Sequence, residues 1–405
     1  MQFCIFEDLR YRNFFPLVCF RPVYDLRCGA LTLREKIVRA LPRGRLVLQC
    51  RESIAGILAE DYPDLPVNRF DAEDTWFISG RLLAGDDLPG LLKTKPARDT
   101  VFSIGDDPVA AFIRGSGVRD FAGGLLGETI ASDRQPAPEG IGSLVGYPWD
   151  LVHRSGEEII RDFRSVRGRG AAPIPRQAAV LGRKNIRMGT GAVIKPGVVL
   201  DASEGPIILG NGVTLMPNSV IQGPAFVGDR SVLKIGARIY PGTSVGAHCK
   251  VGGEVAESVI QSYSNKQHDG FLGHSYLGSW VNIGADTNTS DLKNTYGTVR
   301  VRVDGRTVDT GLQFVGLTMG DHAKTGINVM FDTGSVVGIS CNIFGPGLPP
   351  KFIPSFSWGT SESLTAYRLE ESLETARRAM ARRDVVMSRA YEEVFRSLFE
   401  RRGSE

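Results

Sequence analysis

Apolar residues in the middle of this chain recur at every sixth position. From Leu209 the column reads Leu209, Leu215, Ile221, Val227, Leu233, Ile239, Val245 and Val251. Four residues later runs a second column of small or β-branched side chains: Val213, Ser219, Ala225, Ser231, Ala237, Thr243 and Cys249. Neither the roughly 3.6-residue period of a helix nor the alternation of an ordinary strand selects such a pattern. A triangular coil does, because each side takes one hexapeptide and points its aliphatic residue into a narrow prism. The spacing predicts a parallel β-helix. The column returns at Leu277 and Ile283, then at Met319, Thr325, Phe331, Val337 and Ile343. Residues 286–317 break the period, first polar and then β-rich, and predict a loop or hairpin projecting from one corner. Solenoids place such insertions on a binding face.

The flanks follow other rules. Residues 1–175 predict an α/β domain. Short apolar runs, QFCIF, RLVLQC (45–50), TWFIS (75–79), TVFSI (100–104) and VAAFI (109–113), suit strands. LTLREKIVRAL (31–41) and ESIAGILAEDY (52–62) between them suit helices, and the alternation favours a mainly parallel sheet. A connection rich in Gly, Pro and Arg (164–177) leads to the β-helix, assigned to 176–360. Residues 361–405 read as a charged helical tail. Leu369, Leu373, Ala376 and Met380 form one apolar stripe, and Tyr391, Val394, Phe395, Leu398 and Phe399 a second. Such stripes pack on the solenoid or on a neighbouring subunit.

Composition narrows the function classes. The 48 basic and 45 acidic side chains leave a net charge of +3, which gives no electrostatic case for nucleic acid or an anionic membrane. The arginines from Arg161 to Arg169 read as solvated surface. Six scattered cysteines without a CxxC pair are expected to be buried, reduced thiols. No export signal and no run of eighteen apolar residues is visible, so a cytoplasmic protein without a membrane span is expected.

The chemistry concentrates in SNKQHDGFLGHSYLGSWVNIGADTNTSDLKN (264–294), where His268 and His274 stand six residues apart among glycines and amides. Histidines at that interval are expected to stack on adjacent coils. The run His268-Asp269-Gly270-Phe271-Leu272-Gly273, followed in register by Val281-Asn282-Ile283-Gly284-Ala285, resembles the bifunctional N-acetylglucosamine-1-phosphate uridyltransferase/glucosamine-1-phosphate acetyltransferase family. FRPVYDLRCGALTLREK (20–36), YPWDLVHRSGEEIIRDF (147–163), TGLQFVGLTMGDHAKTGIN and FIPSFSWG extend the likeness to a divergent bacterial branch of that family.

The resemblance implies a left-handed β-helix behind a nucleotidyltransferase-like domain, assembled as a homotrimer with active sites between neighbouring prisms. It implies acetyl transfer from acetyl-CoA to an amino-sugar 1-phosphate, then uridylyl transfer from UTP with Mg²⁺, giving UDP-N-acetylglucosamine for the cell envelope. His268 inherits the catalytic position and Asn282 a substrate-site asparagine. Phe271 replaces a tyrosine, and Asp291 stands where a second asparagine would be. Tyr240 precedes Pro241-Gly242 where the family has its phosphate-holding arginine, with Arg238 two residues earlier.

Histidine suits a base for the amine proton because its pKa lies near working pH. Glu254 or Asp269 is a candidate to orient the ring or hold the amine, and Lys293 a donor to phosphate. His322 and Lys324 are candidates for the coenzyme A phosphates, or else plain surface. The glycine-rich nucleotide loop of the family is absent. Arg21, Arg27, Arg34 and Lys36 around Gly29 are candidate side-chain phosphate ligands in its place, or simply surface charge at a helix start. No metal ligands can be assigned beyond Asp8 and Asp25. Two other classes stay open: a non-catalytic sugar-nucleotide-binding regulator, and a zinc-dependent β-helix hydratase or hydrolase with histidines shared across subunits.

Overall fold

The computed structural model describes residues 1–125, 134–165 and 174–402, so most of the Gly/Pro/Arg-rich connection lies outside the described residues. In the N-terminal domain the strand Gln2–Phe6, buried at every position, pairs in parallel with Arg45–Gln49 and Thr75–Ser79. The sheet then turns mixed instead of staying mainly parallel. Asp107–Ile113 runs antiparallel to both Thr75–Ser79 and Thr100–Ile104. The reason is local: Gly105, at φ +59°, reverses the chain between these last two strands, with no room for the crossover a parallel pair needs. The helix expected from residue 31 begins at Leu33, because Thr32 caps it and forms a capping box with Glu35.

The hexapeptide pattern folds as a parallel β-helix with three faces. The first runs through Val220–Gln222, Arg238–Ile239, Glu254–Ala256 and Phe271–Gly273. The second is a sheet of nine strands from Ile186–Met188 to Phe352–Ile353. The third passes through Val232–Leu233, Lys250–Val251 and Asn265–Lys266, and bridges at Asn282 carry it on to Lys324–Thr325. The aliphatic column from Leu209 to Val251 and its return from Leu277 to Ile343 are buried throughout.

The N-terminal domain packs along the second face. Arg21 forms a buried, bidentate pair with Asp321. The Ser244 hydroxyl donates to the Gly29 carbonyl (2.6 Å), and the Tyr276 hydroxyl accepts from the Arg27 amide (2.8 Å). The insertion contains the expected hairpin, Arg300–Val303 with Arg306–Asp309, but it does not project freely. Val299, Val301, Val303 and Val315 fold back onto Trp149 and Val336 as a small core of their own. The helices Leu369–Ala381 and Arg389–Glu400 bury Leu373, Ala376, Met380 and Phe395, and most of these join a cluster with Phe20 and Ile339, so they clamp domain and solenoid together. All six cysteines are buried and none forms a disulfide. No helix among the described residues is long and apolar enough to cross a membrane.

Candidate functional site

Each coil contributes three sides, so six residues span one side and not one coil. His268 and His274 therefore do not stack. His268 follows the third-face strand Asn265–Lys266 and lies on the edge leading to the first face, whereas His274 follows Phe271–Gly273 on the next edge. The His268 side chain is exposed, and its ring makes no hydrogen bond or ion pair among the described residues.

Beside it on the first face, Arg238, Glu254 and Phe271 occupy one column on successive coils. The Arg238 guanidinium approaches Glu254 at 3.9 Å and Asp269 at 3.7 Å. Asp269 thus faces Arg238 and leaves the His268 ring without an orienting carboxylate. Tyr240 is 37% exposed just past this column.

His274 is held differently. Its Nδ1 meets Asp291 at 2.8 Å and its Nε2 meets Glu257 at 3.0 Å, an acid–imidazole–acid ladder on three coils. These two hydrogen bonds outweigh burial and raise its pKa to about 9. Asp291 is thereby engaged away from His268, and Lys293 turns into the insertion to bond the Thr298 carbonyl.

The third face carries a pocket that brings together residues the sequence left apart. Lys250, Asn265, Asn282 and Lys324 are neighbours on successive coils. With Gln267, Tyr263 and Trp280 they line a cavity of about 230 Å³ roofed by Ala379, Arg382 and Arg383. Gln267 joins this pocket directly to His268. Arg383 donates to the Asn265 side chain (2.9 Å) and Lys324 to the His322 carbonyl (2.8 Å). His322 itself does not reach the pocket as a ligand. It is 2% exposed, with Nε2 on the Tyr391 hydroxyl at 2.8 Å, and burial lowers its pKa well below the usual value.

Sequence reasoning missed Lys250, Asn265, Gln267, Arg382, Arg383 and, most instructively, Lys266. Lys266 pairs with Val251 in the inward column and is 1% exposed. Its Nζ donates to the carbonyls of Gly252 (3.1 Å) and His268 (2.5 Å). The six-residue column steps over it on both sides, so only the coil register, which sets it opposite Val251, shows that it points inward.

The cations expected to hold a nucleotide phosphate are brought near one another, but Arg21, Arg34 and Lys36 are already paired with carboxylates, and Arg27 is turned onto a backbone carbonyl with its Nε buried and unpartnered. Arg34 bonds Asp25 at 2.7 Å and stacks on Tyr62; Arg27 reaches the Ala30 carbonyl; Arg21 holds Asp321. Lys36 lies between Glu158 (2.7 Å) and Asp162 (2.6 Å). The Asp162 carboxylate also accepts from the amides of Ala30 (2.9 Å) and Leu31 (3.2 Å). Gly29, at φ +79°, is required there, since a Cβ would sit 2.8 Å from that carboxylate. An internal carboxylate thus fills the cradle in which a phosphate was expected. Neither candidate metal ligand fits Mg²⁺: Asp8 is held by Arg81 through both oxygens (3.0 Å each from Nε), and Asp25 by Arg34. Among the described residues no cluster of three His, Cys, Asp or Glu side chains is arranged to hold a metal.

Comparison with known proteins bears on both halves. Residues 3–169 match the family model described as sugar nucleotidyl transferase. The bifunctional protein GlmU of Synechococcus sp. (strain CC9311) is 31% identical over 183 residues, 44% of this chain and 35% of that protein. The bifunctional sugar-1-phosphate nucleotidylyltransferase/acetyltransferase of Sulfurisphaera tokodaii is 36% identical over 94 residues, 23% of each chain. The chain thus spans well under half the length of either relative. A solved Arabidopsis UDP-N-acetylglucosamine acyltransferase overlaps with a TM-score of 0.28 at 18% identity, across 51% of this chain and 76% of that one. An overlap that low carries no weight; the β-helix rests on the coil pairing described above.

Proposed function

We propose that this chain transfers an acetyl group from acetyl-CoA to the amine of an amino-sugar 1-phosphate, glucosamine 1-phosphate being the expected acceptor, with His268 as general base. The observation that carries the reading is the position of the His268 ring. It stands unengaged on an open edge, between the column Arg238–Glu254–Phe271 and a cationic pocket. The sugar amine attacks the thioester carbonyl carbon, a C–N bond forms and the C–S bond breaks. His268 takes the amine proton and returns it to the departing thiolate. Asn282 and the Arg238 column supply donors for sugar hydroxyls and phosphate.

For the N-terminal domain, the sugar nucleotidyl transferase match over residues 3–169 supports nucleotidyl transfer over a binding role alone, with phosphate and metal held by groups other than the filled Gly29 cradle, Asp8 and Asp25. Assay of both half-reactions on the full chain tests the two readings together. His268→Ala should lower acetyl transfer by roughly 10²–10⁴-fold without unfolding the solenoid, because the ring has no internal partner. An unchanged rate overturns the catalytic assignment. Pyrophosphate release should need UTP, sugar 1-phosphate and Mg²⁺ together, and its absence overturns nucleotidyl transfer by the N-terminal half.

A further inference from the structure

The ladder Glu257–His274–Asp291 stands apart from the chemistry placed at His268, where three parts of the molecule meet. Glu257 and His274 are corner residues of successive coils, just past the first-face strands Glu254–Ala256 and Phe271–Gly273. Asp291 lies at the neck of the insertion, and its carbonyl accepts the Val315 amide (2.9 Å) where the insertion returns. Leu292 and Phe314 pair across the same neck. The Phe314 ring lies on the His274 ring with centres 5.0 Å apart, and the Gly316 amide donates to the His274 carbonyl (2.9 Å). From the N-terminal domain, His153 at the end of the helix Pro148–His153 donates through Nε2 to the Phe314 carbonyl (2.8 Å). Its ring centre is 5.4 Å from that of His274.

Both ring nitrogens of His274 face carboxylates, Nδ1 that of Asp291 and Nε2 that of Glu257. An ionised carboxylate only accepts, so both nitrogens donate and the ring is a cation. The titratable groups that face it are Glu257 on the preceding coil, Asp291 in the neck and His153 on the domain's helix. The His274 side chain is 10% exposed and that of Asp291 15%, so water cannot readily replace the bond between them, as it would for a surface pair. Asp291 in turn reaches toward His268. A Cβ on Gly273 would collide with both the Asp291 carboxylate and the Phe271 ring, so these two groups press on one spot of the first face. Phe271 belongs to the column beside His268.

We propose that His274 is a positioning residue: clasped between Glu257 and Asp291, its charged ring locks the neck of the insertion and thereby holds the Phe271 wall against which the acceptor sits. The lock stands on the geometry of the neck; the wall rests on the acetyl-transfer reading. Burial opposes the charge on His274, but the bonds to Asp291 and Glu257 outweigh it and put its pKa at about 9. When the neck opens, the ring returns to the ordinary histidine value of about 6.5. A pKa raised in the closed state means that the lock is at full strength below about pH 6.5 and fades as pH climbs to about 9.

Backbone hydrogen exchange on the full-length protein, read over residues 292–316 and corrected for intrinsic rates, tests the lock. Opening should rise by up to about tenfold per pH unit between about pH 6.5 and 9. Asp291→Asn and Glu257→Gln keep the size of each side chain and remove one carboxylate each. Both variants should open more at pH 6.5 and show a flatter slope. A flat wild-type profile, a slope unchanged in both variants, or an equal rise over residues 220–251 of the solenoid overturns the lock. Steady-state kinetics at pH 7 test the wall. Glu257→Gln lies outside the acceptor site, yet it should raise KM for glucosamine 1-phosphate roughly two- to tenfold, the range of one hydrogen bond, with KM for acetyl-CoA unchanged. A normal acceptor KM in that variant overturns the wall. Should the chain transfer no acetyl group at all, exchange still decides the lock, which separates failure of the acetyl-transfer reading from failure of this one.

Discussion

Lys266 shows how one side chain sets the height of the edge that carries His268. The inward column gives it a buried, narrow berth, and burial lowers its pKa to about 8 against the opposing pull of Asp269. Its ammonium ties the Gly252 and His268 carbonyls together. Gly253, at φ +67°, must lack a side chain because a Cβ would meet the His268 carbonyl at 2.6 Å and the lysine Nζ at 2.8 Å. Lys266→Met keeps nearly the same volume and loses only the donors. The His268 carbonyl then loses its partner and the corner loosens, so kcat for acetyl transfer should fall about tenfold, one charge-assisted hydrogen bond's worth, with KM for the acyl donor little changed. Steady-state kinetics read this split, and wild-type kcat in the variant would mean that Lys266 only fills space. In the sequence it is one more polar residue in a polar loop. Only the coil register shows that it points inward.

At the scale of elements, the C-terminal helices dock on a histidine that must stay neutral. Tyr391 bonds His322 and stacks on Phe20 with ring centres 4.4 Å apart, and Phe395 packs on both. Burial first, then Lys324 and Arg21, hold the His322 pKa far below normal, and its Nδ1 has no partner. The sign follows from linkage. A group whose folded pKa is depressed lets the unlocked state bind a proton that the docked state refuses. Docking is therefore unaffected well above pH about 6.5 and weakens as pH falls below it, by up to about tenfold in opening per pH unit. Hydrogen exchange over residues 389–400, corrected for intrinsic rates, should show excess opening at pH 5.0 relative to pH 7.5. His322→Phe should abolish that excess. Equal excess in the variant would place the pH sensitivity elsewhere. The two apolar stripes were legible in the sequence, but their seat on both domain and solenoid was not, because a stripe says how wide a buried face is and not what covers it.

The whole molecule leaves one edge of its prism bare. The N-terminal domain covers the second face, and the helix pair roofs part of the third. On the edge carrying His268, Ile235 is 66% exposed two coils to one side and Ile327 is 73% exposed two coils to the other. Two large aliphatic side chains flanking the candidate base favour burial against another copy of the chain. We expect a homotrimer, and light scattering on the purified full chain should report three times the 44.0 kDa chain mass. A stable monomer at assay concentration would leave His268 outside any shared site. Ile235→Glu with Ile327→Glu should dissociate the assembly and lower acetyl transfer with it.

The sequence by itself determined the β-helix and, in the N-terminal domain, the five main strands and the helices that follow residues 32 and 51. A six-residue period has one geometric solution, and alternating apolar runs have few. It also singled out His268 and Asn282 through an in-register motif. The tertiary structure alone decided the rest. It set His268 and His274 on different edges, because a coil has three sides. It gave Asp162 the cradle formed by Gly29 and Lys36, because a helix more than a hundred residues downstream packs there. It gathered Lys250, Lys324, Arg382 and Arg383 around one cavity. Such pairings join positions far apart in the chain, and side-chain charge is settled by neighbours that local spacing does not encode.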